Sequence, residues 1–180
     1  MDAGWVYGFI GLLLLERLLE VGIARRNRAW IIARGGTEHH RSFTQLLLTF
    51  HGLWFIAFGT EAFLRDSAEL IPPVLTLVPL LVLQAGRYAC IISLGPFWNT
   101  RIYVLPGAAP VRRGLYRRFR HPNYLIVLIE IPLYPALFGC FYTAFLFGAV
   151  NLWVLKNRIR QEDQAMADPR SRGSRPAAYC

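Results

Sequence analysis

Residues 124–155 read YLIVLIEIPLYPALFGCFYTAFLFGAVNLWVL, and Glu130 is the only charged side chain among them. One membrane-crossing helix needs about 20 largely apolar residues, so this run is too long for one span and short for two. Gly139 and Cys140 interrupt it near the middle. The interruption predicts two tilted helices, about Tyr124 to Phe138 and about Cys140 to Leu155, joined as a hairpin. A single bent helix of this length would overshoot the hydrocarbon layer. Pro132 and Pro135 should bend the first of the pair, because proline withholds an N–H and crowds the preceding turn.

Three more apolar blocks lie toward the N-terminus. They run from about Trp5 to Ile23, with the helix continuing beyond the membrane through Trp30, then from Phe43 to Leu64, then from Leu70 to Leu94. Pro72, Pro73 and Pro79 imply a late start or a kink in the third. Asp2 leads into the first block without a basic region, so that block reads as a span and not as a cleavable leader. The expected fold class is all-α integral membrane: five transmembrane helices, spans four and five forming a helical hairpin, with a long polar connector before it. Residues 1–168 form one domain, and 169–180, rich in Pro, Arg, Ser and Gly, are expected to be a disordered tail.

Composition agrees. Of 180 residues, 54% are hydrophobic and 17% charged, against about 25% charged in a soluble domain; mean hydropathy is +0.34. The net charge of +9 comes almost wholly from arginine. Those arginines fill the gaps between apolar blocks, which is where membrane topology places them, and no soluble basic face exists to bind nucleic acid. Arg25, Arg26, Arg28, Arg34 and Arg41 follow span one. Arg101, Arg112, Arg113, Arg117, Arg118 and Arg120 follow span three. Lys156, Arg158 and Arg160 follow span five. Counting positive charge puts these segments in the cytoplasm and the N-terminus outside. Cys90, Cys140 and Cys180 show neither disulfide nor metal spacing, and His39 and His40 lack further ligands, so no metal is expected.

Glu16, Arg17, Glu20, His51, Arg87 and Glu130 lie inside the spans. At about 1.5 Å per residue, they all fall within roughly 5–12 Å of the inner ends of their helices. Glu61 lies near the outer end. A charge at mid-bilayer costs about 2.5–3.5 kcal/mol on insertion scales, so the inner set must face one another or a wet cavity. Two readings stand side by side: an ion-pair network that holds the helices, and a polar pocket for an acceptor headgroup lined by Glu16, Glu20, His51 and Glu130.

The connector, LGPFWNTRIYVLPGAAPVRRGLYRRFRHPNYL over residues 94–125, contains Gly114-Leu115-Tyr116 and Arg120-His121-Pro122-Asn123-Tyr124. After the hairpin comes Arg158-Ile159-Arg160-Gln161-Glu162 on a helix continuing from span five. These three elements, in this order around a helical hairpin, resemble the isoprenylcysteine carboxyl methyltransferase family over about Leu94 to Met166. The N-terminal RNRAWIIARGGTE stretch is more similar to its small bacterial branch, which implies a bacterial inner membrane.

The resemblance implies an S-adenosylmethionine-dependent, O-directed methyltransferase acting at the cytoplasmic membrane face. Its acceptor would be a lipophilic small molecule or a lipidated substrate, carrying a carboxylate or a hydroxyl. By motif, the connector holds the cofactor through Ala108, Ala109, Pro110, Val111, Tyr116, His121, Pro122, Asn123 and Tyr124, together with Glu162. Arg158 stands beside the acceptor, and Arg158 and Glu162 are the catalytic pair. The chemistry suits these residue types. Imidazole and N–H groups bond a carboxylate, a carboxylate engages an amine or ribose, and an aromatic face attracts a sulfonium as it does other cations. Arg158 and Glu162, four residues apart, share one helix face.

Plainer roles compete. His121 before Pro122 can simply start a helix, Arg117, Arg118 and Arg120 suit lipid headgroups, and Trp30 and Trp98 suit the interfacial belt. Two other functions also fit the sequence: an NADPH-dependent membrane reductase of related fold, whose 2′-phosphate would need an arginine, and a non-catalytic membrane protein. No glycine-rich dinucleotide fingerprint is present.

Overall fold

A computed structural model describes residues 4–65, 72–167 and 177–179. Five helices carry the chain: α1 (Gly4–Ile32), α2 (Arg41–Leu64), α3 (Pro73–Leu94), α4 (Pro122–Leu137) and α5 (Phe141–Ala167). Each apolar block became one helix. α1 runs unbroken past its apolar part, as the continuation through Trp30 requires. α3 starts at Pro73, where proline's fixed φ suits a first helical turn, so the late start is realised; residues 66–71 lie outside those described.

Proline shapes the packing of α4. Pro135 lies within it and has no N–H for the Ile131 carbonyl one turn earlier. The Trp54 indole of α2 donates to that carbonyl at 3.0 Å, so the defect becomes an interhelical bond. Gly139, at φ 71°, lets the chain reverse after α4, as a left-handed glycine does at many helix ends. α5 then begins against Glu61 of α2, whose carboxylate accepts from Tyr142 N at 3.1 Å and Thr143 N at 2.7 Å. Open amides at a helix start favour such a carboxylate. Arg65 completes the joint, pairing with Glu61 at 3.2 Å and donating to the Gly139 carbonyl.

α4 packs most closely against α5. A core of Phe9, Leu13, Phe50, Trp54, Phe58, Ile131, Tyr134 and Phe138 joins α1, α2 and α4. The outward faces stay apolar: Phe145 is 83% exposed, and Leu18, Ile56, Phe63 and Ile92 are also exposed. Contiguous apolar exposure of this kind marks a membrane-facing surface. By length and composition, the Arg41–Leu64 helix and the Leu75–Phe97 segment can each cross a bilayer, with mean hydropathies of 1.4 and 1.7.

The all-α expectation needs correcting. Among the described residues there is a three-stranded antiparallel sheet in the order β1 (Thr37–His39), β2 (Ile102–Leu105), β3 (Ala177–Tyr179). Thr37 pairs with Val104, and Tyr103 pairs with Tyr179. Ala177–Tyr179, inside the stretch expected to be a tail, lie along β2; 168–176 and Cys180 lie outside the described residues.

The connector is pinned to α3 through Ser93. Arg113 Nε donates to its carbonyl oxygen at 2.5 Å, and Gly114, at φ 55°, lies so close that a Cβ there would strike the Ser93 side chain. Gly114→Ala therefore meets both a clash and left-handed backbone strain of about 1–2 kcal/mol. A lower unfolding midpoint is the expected outcome; an unchanged thermal melt would refute it.

Candidate active site

The candidate site is assembled where the start of α4 and the last turns of α5 meet the sheet. Ile102 and Val104 of β2 are buried against Ala165 of α5, with Tyr124 packed on them. This fixes the rotation of the α5 extension and turns Arg158 and Glu162 inward, at 3% and 4% exposure. The Tyr124 hydroxyl donates to Glu162 at 2.7 Å. Arg158 Nε donates to the same hydroxyl at 3.3 Å, and its Nη2 to the Thr100 carbonyl at 3.2 Å. His121 Nδ1 lies 3.6 Å from Glu162, and its ring stacks on Tyr124 with centroids 5.3 Å apart. The motif element before the hairpin and the one after it therefore converge on a single carboxylate.

Two cavities open at this point. One, of about 390 Å³, is lined by Pro110, Val111, Tyr116, His121 and Glu162, with arginines 112, 117, 118 and 120 around it. The other, of about 440 Å³, is lined by Leu125, Leu128, Leu152, Leu155 and Ile159, with Tyr124, Lys156 and His121. Both fall within the about 300–1,000 Å³ of ordinary ligand sites. Phe119, Arg120 and His121 line both. His121 Nε2 is buried without a hydrogen-bond partner among the described residues, which is uncommon for a buried polar atom and points to a ligand contact.

Of the expected cofactor residues, Pro110, Val111, Tyr116, His121 and Glu162 share the polar cavity, and Tyr124 stands on the wall of its neighbour. Ala108 packs instead near Trp98, Ala109 is exposed, and Pro122 is the buried first residue of α4. These three line neither cavity, and neither does Asn123. Arg158 lies one side chain behind the wall. Arg120 bridges the surface to Asp163 at 2.6 Å, an exposed pair of little energetic weight.

Glu16, Glu20, His51 and Glu130 gather elsewhere. Arg17 pairs with Glu20 at 2.9 Å, Arg87 with Glu20 at 3.5 Å and with Glu130. Gln84 donates to Glu16 at 2.6 Å, and the Tyr134 hydroxyl to Glu130 at 3.3 Å. His51 Nδ1 contacts the Leu47 carbonyl at 2.8 Å, and its ring shares a small cavity with Arg17 and Glu130. These groups do face one another, as burial demands, but the structure does not bring them to the walls beside His121.

Three nearby residues were not singled out as site residues from sequence. Thr100 offers only a backbone carbonyl, so no side-chain signal marks it. Arg87 belonged to the inner charge set and was given no site role. His40 heads α2 in a left-handed conformation, φ 53°, uncommon for a residue other than glycine. Burial, then His39, then the Arg158 charge hold its imidazole below the ordinary histidine pKa. At the sheet, Glu38 takes bonds from Arg101 at 2.9 Å and the Tyr103 hydroxyl at 3.3 Å. Burial, then the Glu38 charge, push that phenol above its ordinary pKa.

Helices with exposed apolar flanks and two cavities gathered at one end fit a membrane protein. Residues 74–168 match the family described as isoprenylcysteine carboxyl methyltransferase (ICMT). "Uncharacterized protein YpbQ" of Bacillus subtilis (strain 168) is 34% identical over 159 residues, covering 88% of this chain and 95% of that protein. An "Uncharacterized protein" of Haemophilus influenzae (strain ATCC 51907 / DSM 11121 / KW20 / Rd) is 28% identical over 156 residues, covering 86% and 91%. No solved structure matches. The chain belongs to the isoprenylcysteine carboxyl methyltransferase family, a family of membrane methyltransferases.

Proposed function

We propose that the protein is an S-adenosylmethionine-dependent O-methyltransferase acting on a lipophilic carboxylate or hydroxyl at the cytoplasmic face of a bacterial inner membrane. One observation carries this reading: a cavity ringed by arginines and one lined by leucines share the His121 wall, so a donor in one and an acceptor in the other would meet there. In this reading all five helices span the bilayer, α4 and α5 as a tilted hairpin, with the N-terminus outside. Residues 1–168 then act as a single domain.

The residues fit the cofactor. The open His121 Nε2 suits its carboxylate, Tyr116 offers an aromatic face, and Glu162 suits its amine or ribose. When bound, S-adenosylmethionine supplies an electrophilic methyl group. The protein's part is alignment, which for well-oriented reactants is worth about 7–11 kcal/mol. Leu125, Leu128, Leu152 and Leu155 hold the acceptor's hydrocarbon part and exclude water. Arg158 keeps Tyr124 and Glu162 in register and places positive charge near the acceptor oxygen. A carboxylate acceptor arrives ionised, whereas a phenol, with pKa about 10, needs a base, and Glu162 is the nearest carboxylate to serve.

The Glu16, Glu20, His51 and Glu130 cluster enters this reading as the frame behind the site, since it lines neither cavity. The test incubates purified protein in nanodiscs with methyl-labelled cofactor and a bacterial lipid extract, and identifies products by mass spectrometry. A labelled lipid supports the reading. No binding of S-adenosylmethionine would sink it, and binding of NADPH in its place would favour a reductase, which the cavity's four arginines would also suit.

A further inference from the structure

The leucine-lined cavity carries a cation that the motif does not mark. Arg158 is buried behind Tyr124 and lines neither cavity. Lys156, the single lysine of the chain, stands two residues earlier, about 200° around the helix. It is exposed and forms part of the cavity wall. Tyr124 bonds Glu162, and Asn151 bonds the Val127 carbonyl, so α4 and α5 run antiparallel along the cavity. Leu128 and Leu152 therefore share one end of it, and Arg120 and His121 the other. Lys156 lies about one turn of α5 from Leu152. Its stem can follow the apolar wall while the ammonium reaches toward the polar end.

The charge on this wall has no counterpart. Among the described residues, no carboxylate lines the cavity and none pairs with Lys156, whereas Arg120 is already joined to Asp163. A neutral occupant would cover the ammonium and leave it short of both water and a partner, which is costly. An occupant with a negative end supplies the partner. We propose that Lys156 is the specificity-determining residue of this cavity, where its ammonium pairs with the ionised oxygen acid at the polar end of a single-chain amphiphile. This rests on the methyltransferase reading above and narrows its acceptor to an anion. The ionised oxygen bonds the methyl carbon as the carbon–sulfur bond breaks and leaves its electron pair on sulfur. No proton has to be removed, so no general base is required. The methylated product is neutral, loses its pairing with Lys156 and returns to the lipid.

Dodecanoate, dodecanol and methyl dodecanoate share one chain and differ in charge at the end. Each is added to the full-length protein in detergent, and the ligand retained is read by native mass spectrometry. The wild type should hold dodecanoate about tenfold more strongly than either neutral analogue, the lower end for a bond to a charged group. Lys156→Gln should erase that preference and Lys156→Arg should keep most of it. Both should keep the wild-type unfolding midpoint and affinity for S-adenosylmethionine. Arg160→Gln removes an exposed charge of α5 that lines neither cavity, and should bind as the wild type does. Equal retention of the three probes by the wild type, an undiminished preference in Lys156→Gln, or an equal loss in Arg160→Gln overturns the proposal while the methyltransferase reading stands. Preference for dodecanoate in a protein that binds no S-adenosylmethionine overturns that reading instead, and leaves Lys156 as the anchor of an anionic-amphiphile site.

Discussion

Replacing Arg158 with alanine is expected to slow methyl transfer about 10²-fold, the loss typical of misaligning well-oriented reactants, while cofactor affinity is retained. The geometry explains the split. Arg158 is buried behind Tyr124, bonded to its hydroxyl and to the Thr100 carbonyl, and lines neither cavity. Without it, the Tyr124–Glu162 bond survives and the polar cavity keeps His121 and Tyr116. What disappears is a buried positive charge beside Tyr124 and the second tie on its hydroxyl. Arg158→Lys should recover only part of the rate, because an ammonium cannot hold both partners in a planar fork. Initial rates with labelled cofactor, set against calorimetric affinity, measure the effect. Undiminished turnover in Arg158→Ala would remove this residue from the mechanism.

The largest effect on stability is expected from Glu130→Ala. Arg87 would keep Glu20 and Asn123 but lose its closest partner, and stripping one member from a buried pair costs about 3–5 kcal/mol. Tyr134 would also lose the acceptor for its hydroxyl. The unfolding midpoint in nanodiscs should fall steeply for Glu130→Ala and less for Glu130→Gln, which keeps an oxygen for Arg87. Arg87→Met with Glu130→Leu should recover most of that loss, since an apolar pair of similar volume often replaces a buried ion pair without penalty. A Glu130→Ala protein that melts like the wild type would show that Glu20 alone balances Arg87.

Helix positions were legible because the bilayer imposes them. Blocks such as Phe43–Leu64 are long, apolar and bounded by arginine, and α2 ends at the same Leu64. The inner charges were legible as a set, since burial forces such groups to find partners. Which partner each would find was not, because it depends on helix rotation; nothing in the sequence joins Arg87 to Asn123. The sheet was hidden for another reason. Thr37–His39 and Ile102–Leu105 are too short for an alternating pattern to register, and strand preference depends on neighbours supplied by distant parts of the chain. At the site, the motifs indicated which residues converge, and Tyr124, His121 and Glu162 do so. They did not indicate that Arg158 would stand behind Tyr124, a matter of how β2 turns α5.

That sheet also limits how the protein can be taken apart. β2 lies inside the family-matched stretch, 74–168, but its two flanking strands come from outside it, one from the first quarter of the chain and one from its last residues. A fragment cut to the matched stretch would leave both edges of β2 open to pairing with other molecules, a route to aggregation, and would take Glu20 away from Arg87. The most recognisable part of this sequence therefore lacks both strands that flank β2. For the same reason, a reporter protein fused at the C-terminus would load the β3 clasp, whereas one fused before α1 would leave it untouched.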